Sequence, residues 1–143
     1  MSLITPRSDK IIASLNIVSR KLQGLLDEQL APLHLTSSNY YFLLKIDQER
    51  TLTQDQLFRK IYLSPSNVTR RLDQLVALGL VVKERSTDDR RSWNISLTLQ
   101  GKILVPKIKA VVLRVNKQFL TDIPADEINV VKAFLEQTSA NLD

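Results

Sequence analysis

The chain contains no cysteine, one histidine and only three glycines among 143 residues. Without cysteine, a disulfide framework, a thiolate zinc site and thiol-based redox sensing are all excluded. One histidine adds little toward a metal site, and so few glycines argue against a phosphate-cradling loop. No Ser–His–Asp arrangement or paired acidic motif is visible either. We therefore expect a protein that is not an enzyme and that holds no metal or cofactor.

Long apolar segments are also missing. No run approaches the roughly 18 apolar residues of a membrane span, and the opening MSLITPRSDK has no apolar signal core. We therefore expect no membrane association. The length fits one domain. A reducing cytoplasm is compatible with the absence of cysteine, which does not by itself prove that compartment.

The positive charge is concentrated in one segment. The net charge is +5, and residues 59–91 alone contribute +4, from eight basic and four acidic residues. A local basic surface gives salt-dependent affinity for the phosphates of a duplex. The alternative is a solvated surface without a ligand, and charge alone does not decide between the two. The basic residues are Arg59, Lys60, Arg70, Arg71, Lys83, Arg85, Arg90 and Arg91.

The same segment predicts two short helices followed by a two-stranded hairpin. Thr53 and Gln56 have the spacing of a capping box for the first helix. Ser64-Pro65 suits the start of the second helix, and Gly79 suits its end. Strand-like patterns cover 80–85 and 92–97, with 86–91 as the turn.

The second helix has one apolar edge and one polar face. Arg70 falls opposite the apolar edge, with short polar side chains around it. A helix that buries one edge and presents an arginine among short polar residues is shaped to enter a DNA major groove. We therefore expect a DNA-binding protein. The apolar edge consists of Val68, Leu72, Leu75 and Val76.

Longer helices flank this segment. The first is expected from about Ser8 to Gln29, with an apolar seam that includes Ile11, Leu15 and Val18. Pro32 ends that segment, and Thr36 or Ser37 can cap the next helix. Thr98 can cap a long helix that carries Val115 and Phe119, where Pro106 predicts either a kink or a late start. Pro124 opens a last helix, whose inner edge includes Ile128, Val131 and Leu135.

The stretch LSPSNVTRRLDQLVALGLVVKERSTDDRRSWNISLTLQGK resembles the MarR family of bacterial transcriptional regulators, whose members read like LSxSTVSRxVDRLExKGLVxRxxxxxDRRxxxxxLTxxG. The most specific part is Asp89-Arg90-Arg91, placed between Gly79-Leu80-Val81 and Leu97-Thr98. One departure is Tyr62, which stands where the family commonly has glycine in the turn. The absence of cysteine also separates the chain from the peroxide-sensing members.

The resemblance implies a mainly α fold with a small β-hairpin wing. In this fold a winged helix-turn-helix, residues 36–98, is flanked by dimerisation helices at 8–32 and 99–143, all within one domain. The implied function is a regulator, by family habit a repressor, that binds a pseudo-palindromic operator as a homodimer in the cytoplasm, on the nucleoid. Self-association would cover the apolar seams; the alternative is that the seams pack on each other within one chain. The expected dimerisation residues are Ile11, Leu15, Val18, Val115, Phe119, Ile128, Val131 and Leu135.

On DNA, Arg70 is expected to contact guanine, because its guanidinium pairs with O6 and N7 together. Arg71 lies nearer the apolar edge, which favours a phosphate contact. Arg90 or Arg91 would enter the minor groove, and Asp89 is a turn residue, an anchor for a wing arginine, or both. Further base-edge or phosphate contacts are assigned to Ser64, Ser66, Asn67, Thr69 and Gln74.

Several expectations remain open at this point. The family commonly has a pocket for a small aromatic effector, but no residue set here specifies such a ligand. His34 fits a packed or loop position better than a sensor, and Trp93 fits packing better than a ligand platform. The alternative function is an interaction module that binds a protein or RNA partner without duplex sequence preference.

Overall fold

The computed structural model describes residues 10–61, 64–89 and 91–143. The expected helix start at Ser8, the turn residue Tyr62 and the wing residue Arg90 lie outside these ranges. Within them the order is α1 Ile11–Leu30, α2 Tyr40–Glu49, β1 Thr51–Thr53, α3 Gln54–Ile61, α4 Pro65–Ala77, β2 Val81–Arg85, β3 Trp93–Leu97, α5 Leu99–Phe119 and α6 Ala125–Asn141. The expected class, mainly α with a small β wing, is confirmed.

The sheet has three strands rather than the two expected from the sequence. β3 is central and pairs antiparallel with β1 on one side and β2 on the other. β1 is only three residues long, too short to show an alternating pattern. Its Leu52 is buried opposite Ile95 of β3, so β1 ties the start of α3 to the wing.

The cap expected at Thr36 or Ser37 is wrong, because α2 begins three residues later, after a turn. Asn39 is the residue before the helix and is buried. Its side-chain Oδ1 accepts a hydrogen bond from the backbone N–H of Thr36, 2.8 Å away. The Thr36 hydroxyl accepts from the backbone N–H of Ser38 at 3.2 Å. These contacts stabilise the turn rather than the helix end.

The hydrophobic core lies where the end of α1, α2, α3, α4 and the inner face of the sheet meet the buried edge of α5. Its largest fully buried side chains include Phe42, Leu43, Ile46, Leu57, Leu72, Leu75, Ile95 and Ile108. In α1, Leu26 and Leu30 are buried and Leu22 and Leu25 pack against the core, whereas the N-terminal half of the helix is exposed. The core therefore belongs mainly to the segment that carries the helix-turn-helix and the wing.

α5 is one continuous helix that contains Pro106. The alternative of a late start is wrong, because the helix begins at Leu99 with Thr98 as its N-cap. Pro106 is exposed, whereas Val105 and Ile108 beside it are buried. The interior proline therefore lies on the outer side of the helix.

α6 extends past the core without burying any residue in this chain. Its apolar residues Val130, Val131, Phe134 and Leu135 are 69%, 51%, 40% and 47% exposed. Among the described helices, none is both long and apolar enough to cross a bilayer. A large apolar surface is thus left open on a chain whose core is otherwise well packed.

Candidate nucleic-acid interface

Capping chemistry at both helix starts defines the helix-turn-helix. The hydroxyl Oγ1 of Thr53 accepts from the backbone N–H of Gln56 at 3.1 Å, and Oε1 of Gln56 accepts from the backbone N–H of Thr53 at 2.9 Å. This is the reciprocal capping box predicted from the sequence. The Ser64 hydroxyl accepts from the backbone N–H of Asn67 at 3.4 Å, so α4 begins where predicted.

The buried edge of α4 is narrower than expected. Val68, Leu72 and Leu75 are at most 1% exposed and pack into the core. Val76, expected on the same edge, is 40% exposed, so that part of the prediction is wrong. At 100° per residue Val76 follows Leu75 around the helix, beyond the surface that the core covers. The buried edge of α4 therefore consists of three residues.

The outer face of α4 forms a shallow polar depression open to solvent. Ser66, Arg70, Asp73 and Gln74 are exposed along it. The guanidinium Nη2 of Arg70 donates to Oδ1 of Asn67 at 2.7 Å, which holds the arginine along the helix surface. Four of the predicted contact residues thus lie next to or on one accessible face: Ser66, Asn67, Arg70 and Gln74.

Thr69 and Arg71 lie nearer the flanks of this face, and both are half-buried. Oγ1 of Thr69 accepts from Nε2 of Gln54 at 3.0 Å, which links α4 to the first turn of α3. The other side-chain atom of Gln54, Oε1, is buried without a hydrogen-bond partner among the described residues. Thr69 therefore has a role in the α3–α4 packing that the sequence did not predict.

The end of α4 is joined to the start of α5. Gly79 has φ +74°, the left-handed conformation that glycine adopts readily past a helix end. The Thr98 hydroxyl donates to the carbonyl of Gly79 at 2.6 Å and accepts from the backbone N–H of Gly101 at 3.1 Å. The backbone N–H of Thr98 donates to the carbonyl of Leu80 at 3.1 Å. These contacts, called here the α4–α5 joint, fix the orientation of α4 relative to α5.

Short polar contacts connect the described residues at the tip of the wing. The Ser86 hydroxyl accepts from the backbone N–H groups of Asp88 and Asp89 at 3.2 and 3.3 Å. Oδ1 of Asp89 accepts from the backbone N–H of Arg91 at 3.0 Å. Asp89 is thus a turn residue that anchors the backbone of Arg91, whose side chain is exposed. Arg90, the other candidate for the minor groove, lies outside the described residues.

The base of the wing carries a cluster of two cations and an indole that the sequence did not predict. Lys83 and Arg85 of β2 lie on the same side of the sheet as Trp93 of β3, and both cations contact its ring. Nζ of Lys83 is also 3.9 Å from Oδ1 of Asp73 on α4. The period-two spacing of Val81, Lys83 and Arg85 could have placed them on one face, but not against Trp93.

The predicted dimerisation residues are largely open to solvent in the single chain. Ile11, Leu15 and Val18 on α1 are 41%, 41% and 42% exposed, and Phe119 at the end of α5 is 45% exposed. On α6, Val131 and Leu135 are about half exposed, and Ile128 is partly covered. Val115 is different: at 4% exposure it belongs to the core of its own chain, so its assignment to the dimer seam is wrong. Helical spacing placed Val115 on the apolar side of α5 but could not tell which part of that side the core covers.

An apolar cavity of about 350 Å³ lies beside the α4–α5 joint. Leu78 and Leu80, which follow α4, and Ile103 and Leu104 of α5 form much of its wall. His34 closes one side; it is exposed and has φ +59° at the end of a 3-10 turn over Ala31–Leu33. His34 is thus a loop residue, as expected. The described residues hold no cluster of three or more side chains suited to a metal ion.

A short helix, a second helix with a polar outward face and an adjacent antiparallel pair of strands form the arrangement of a winged helix-turn-helix. Residues 35–93 match the model of the MarR family. The resemblance to the MarR family that the sequence predicts is thus confirmed over these residues.

Solved structures of MarR regulators share the fold over almost the whole chain. AbsC of Streptomyces coelicolor, a MarR family transcriptional regulator, is 19% identical with a TM-score of 0.87, covering 99% of this chain and 98% of its own. A mutant MarR of E. coli complexed with operator DNA is 23% identical with a TM-score of 0.85, covering 96% and 99%. A MarR transcriptional regulator of Methanosarcina mazei is 22% identical with a TM-score of 0.83, covering 93% and 96%.

Proposed function

We propose that the chain is a sequence-specific, DNA-binding transcriptional repressor that acts as a homodimer on a pseudo-palindromic operator. The observation that carries the proposal is the outer face of α4. This helix is held on the core by three fully buried residues, and it presents Asn67, Arg70 and Gln74 on the opposite side. The match to a MarR in complex with operator DNA supports a duplex as the ligand of this face.

The chemistry of the face fits a major groove. Arg70 already lies along the helix surface through its bond to Asn67, so little side-chain freedom is lost when it contacts a base. An arginine that pairs with guanine O6 and N7 contributes about 1–3 kcal/mol of discrimination. Asn67 and Gln74 are amides that can read adenine in the same groove. Arg71, half-buried at the flank, is assigned to a phosphate.

The wing extends the contact beyond the major groove. The Asp89 carboxylate fixes the backbone of Arg91 and leaves its guanidinium exposed. An exposed arginine at the tip of a hairpin is suited to the adjacent minor groove, which is read mainly through its width and potential. Arg90 and Arg91 both stay candidates for that position.

The uncovered apolar surface supports the proposed homodimer. α6 buries nothing in its own chain, and the N-terminal half of α1 is exposed. A groove of about 330 Å³ lies between α1 and the end of α5, lined by Val18, Leu22, Leu25 and Phe119. A second copy would supply the apolar edge of α6 to cover this surface, and a two-fold axis would make the exchange reciprocal.

Sedimentation tests the dimer directly. The native chain should sediment at twice 16.3 kDa at micromolar concentration. Leu135→Glu places a charge on the apolar edge of α6 and should shift the protein toward the monomer. Ala133→Glu, which adds the same single charge on the opposite, exposed side of α6, is the matched control and should stay dimeric. A stable native monomer would contradict the proposed assembly.

Selection of bound duplexes from a random library, at near-physiological salt, tests the DNA function. We expect an inverted repeat with half-sites about one helical turn apart. Arg70→Ala should flatten the preference at one base pair of each half-site, whereas Arg91→Ala should weaken binding to all duplexes alike. Equal losses on the selected and on a random duplex from Arg70→Ala would remove Arg70 from the base contacts. Salt-sensitive binding with no enriched motif would favour the interaction module with a protein or RNA partner.

Relief by a small aromatic effector is the second part of the proposal. The cavity beside the α4–α5 joint has a mostly apolar wall, together with Gln100 and Lys107. Lys107 can pair with the carboxylate of an aromatic acid bound there. Such acids should raise the melting temperature of the native chain, and Ile103→Trp, which fills the cavity, should abolish the shift. No change with the native chain would leave a repressor without this type of effector.

The remaining expectations follow from the proposed class. A transcriptional regulator acts at the chromosome, which places the chain in the cytoplasm, on the nucleoid. We keep the expectation of no enzymatic activity and no cofactor, because MarR regulators are generally transcription factors rather than enzymes. Expression of a reporter gene placed behind the selected operator separates the two roles. The native chain should lower this expression if it is a repressor and raise it if it is an activator.

A further inference from the structure

A cluster of charged side chains and one indole connects α4 to the base of the wing. Nζ of Lys83 lies 5.4 Å from the ring centroid of Trp93 and 3.9 Å from Oδ1 of Asp73 on α4. Cζ of Arg85 lies 4.9 Å from the same centroid. Trp93 is half-buried and packs against the core. The indole therefore holds two cations at a fixed place beside the outer face of α4.

The register of the sheet explains the arrangement. Val81, Lys83 and Arg85 alternate along β2, opposite Leu97, Ile95 and Trp93 of β3. Directly paired residues point to the same side of an antiparallel sheet. Val81 and Ile95 are buried on that side. Farther along β2 the side chains lie beyond the core. There Lys83 and Arg85 contact the face of the indole instead of apolar side chains.

These contacts contribute little to the stability of the fold. The Asp73 side chain is 64% exposed, and its distance of 3.9 Å from Lys83 is at the limit of an ion pair. Exposed pairs of this kind are worth little in water. Lys83, by contrast, is only 20% exposed, so the ammonium is kept close to the protein surface between helix and wing. Its position is controlled without a large gain in folding free energy.

That position coincides with the course expected for the DNA backbone. When α4 occupies a major groove and the wing occupies the adjacent minor groove, the sugar-phosphate strand that separates the two grooves must cross between them. Lys83 contacts a residue of α4 and a residue of the wing, so it lies at this crossing. Arg85 lies on the same side, one step closer to the wing tip.

We propose that Lys83 and Arg85, held on the indole of Trp93, form a phosphate clamp for the DNA strand that passes between α4 and the wing. The clamp rests on the proposed duplex-binding function and adds a backbone site to it. In the free protein Lys83 is shared between Asp73 and the indole; on DNA its ammonium turns to a phosphate, while Trp93 keeps both cations at the crossing. Trp93 is thus a positioning residue for phosphate contacts, and none of the three residues reads a base.

The salt dependence of binding tests the clamp. Each phosphate neutralised by a cation contributes about 0.9 to the slope of log K against log salt concentration on B-form DNA. Lys83→Met should reduce that slope by about 1 for each protomer bound, on the selected operator and on a random duplex alike. Lys109→Met is the matched control. It removes the same charge from an exposed position between α5 and α2, and the slope should stay native.

Trp93 supplies a second readout because it is the only tryptophan in the chain. Binding of an unlabelled duplex should change the Trp93 emission, since a phosphate is brought close to the cations that lie against its ring. In Lys83→Met this change should be reduced. Trp93→Phe retains an aromatic face and should retain most of the salt slope, whereas Trp93→Leu should lose part of it. Thermal unfolding of both Trp93 variants shows whether they are folded, and Lys83→Met carries the test if Trp93→Leu is not.

The outcomes separate the clamp from the proposed function. If the native chain binds no duplex, the proposed function fails and the clamp fails with it. If the native chain binds the operator, but Lys83→Met keeps the native slope and the native emission change, the clamp is overturned and the repressor stands. A reduced slope in Lys83→Met, with a native slope in Lys109→Met, supports the clamp. A native slope in folded Trp93→Leu overturns the positioning role of the indole.

Discussion

Replacing Gly101 by alanine should destabilise this protein, although a glycine-to-alanine substitution at an uncrowded position in a helix usually stabilises a protein. Gly101 lies in the first turn of α5, where the helix passes the root of the wing. An added methyl group would clash with the carbonyl oxygen of Leu80 and would also lie 3.4 Å from Cβ of Leu97. The backbone atoms of Leu80 cannot rotate away as a flexible side chain could. The clash would therefore push α5 away from the end of α4.

The magnitude follows from three terms. Overpacking in a tight contact costs about 1–3 kcal/mol. Moving α5 also weakens the bonds from Thr98 to Leu80 and Gly79, each worth about 1 kcal/mol. Replacing glycine by alanine within a helix stabilises the helix by at most about 1 kcal/mol. The net loss should be about 2 kcal/mol, and for a chain of 143 residues this lowers the melting temperature by roughly 6–8 °C.

Gly24 provides the matched control. It lies in α1, and an added Cβ at this position meets nothing within 4 Å. Gly24→Ala should therefore give only the helix-propensity gain of about 0.5–1 kcal/mol, with a small rise in melting temperature. Thermal unfolding followed by circular dichroism, at one fixed protein concentration, compares the three proteins. If Gly101→Ala melts at or above the native temperature, the close approach of α5 to Leu80 is refuted.

Three further predictions concern single contacts. Thr98→Val cannot form either side-chain bond of the α4–α5 joint and should cost about 1–2 kcal/mol in denaturant unfolding, whereas Thr98→Ser should recover most of it. Burial, with a smaller contribution from Tyr41, raises the pKa of the Tyr40 phenol. As the pH rises, the unfolded chain releases this proton before the folded chain does, so the stability that Tyr40 contributes should be complete below about pH 10 and should fall at higher pH. In denaturant titrations, Tyr40→Phe should therefore lose less stability at alkaline pH than the native chain. An equal loss in both proteins would contradict this prediction. Asp89→Ala should weaken binding to all duplexes with little change in melting temperature, and Asp89→Asn, which keeps an acceptor for the backbone of Arg91, should bind better than Asp89→Ala.

Elements with strong local signals could be predicted well from the sequence. α4 begins after Ser64 and ends before Gly79 because both signals act on neighbouring backbone groups, an N-cap hydroxyl and a left-handed φ. The capping box of α3 is equally local. β1 was missed for the opposite reason. Its three residues form a strand only because β3, more than forty positions later, offers a free edge.

Side-chain contacts across elements were harder to predict than the elements themselves. Lys83 and Trp93 meet only because the strand register pairs Lys83 with Ile95 and Arg85 with Trp93. A shift of the register by one residue would turn these side chains to the other face of the sheet. Likewise, the spacing of Val115 shows that it is apolar and on a helix, but the packing of the whole chain decides that it is buried in its own core.

The α4–α5 joint connects the two parts of the proposed function. Leu80 donates its backbone N–H to the carbonyl of Leu75 in α4 at 3.0 Å, and its own carbonyl accepts from Thr98 before α5. The orientation of α4 therefore depends on α5. The other end of α5 carries Phe119, a residue of the proposed dimer interface. In a two-fold dimer, a small rotation at this joint changes the distance between the two copies of α4, and hence the half-site spacing that the dimer accepts. Because the 350 Å³ cavity lies against the same joint, an effector that binds there would act on operator spacing rather than on the base contacts of Arg70.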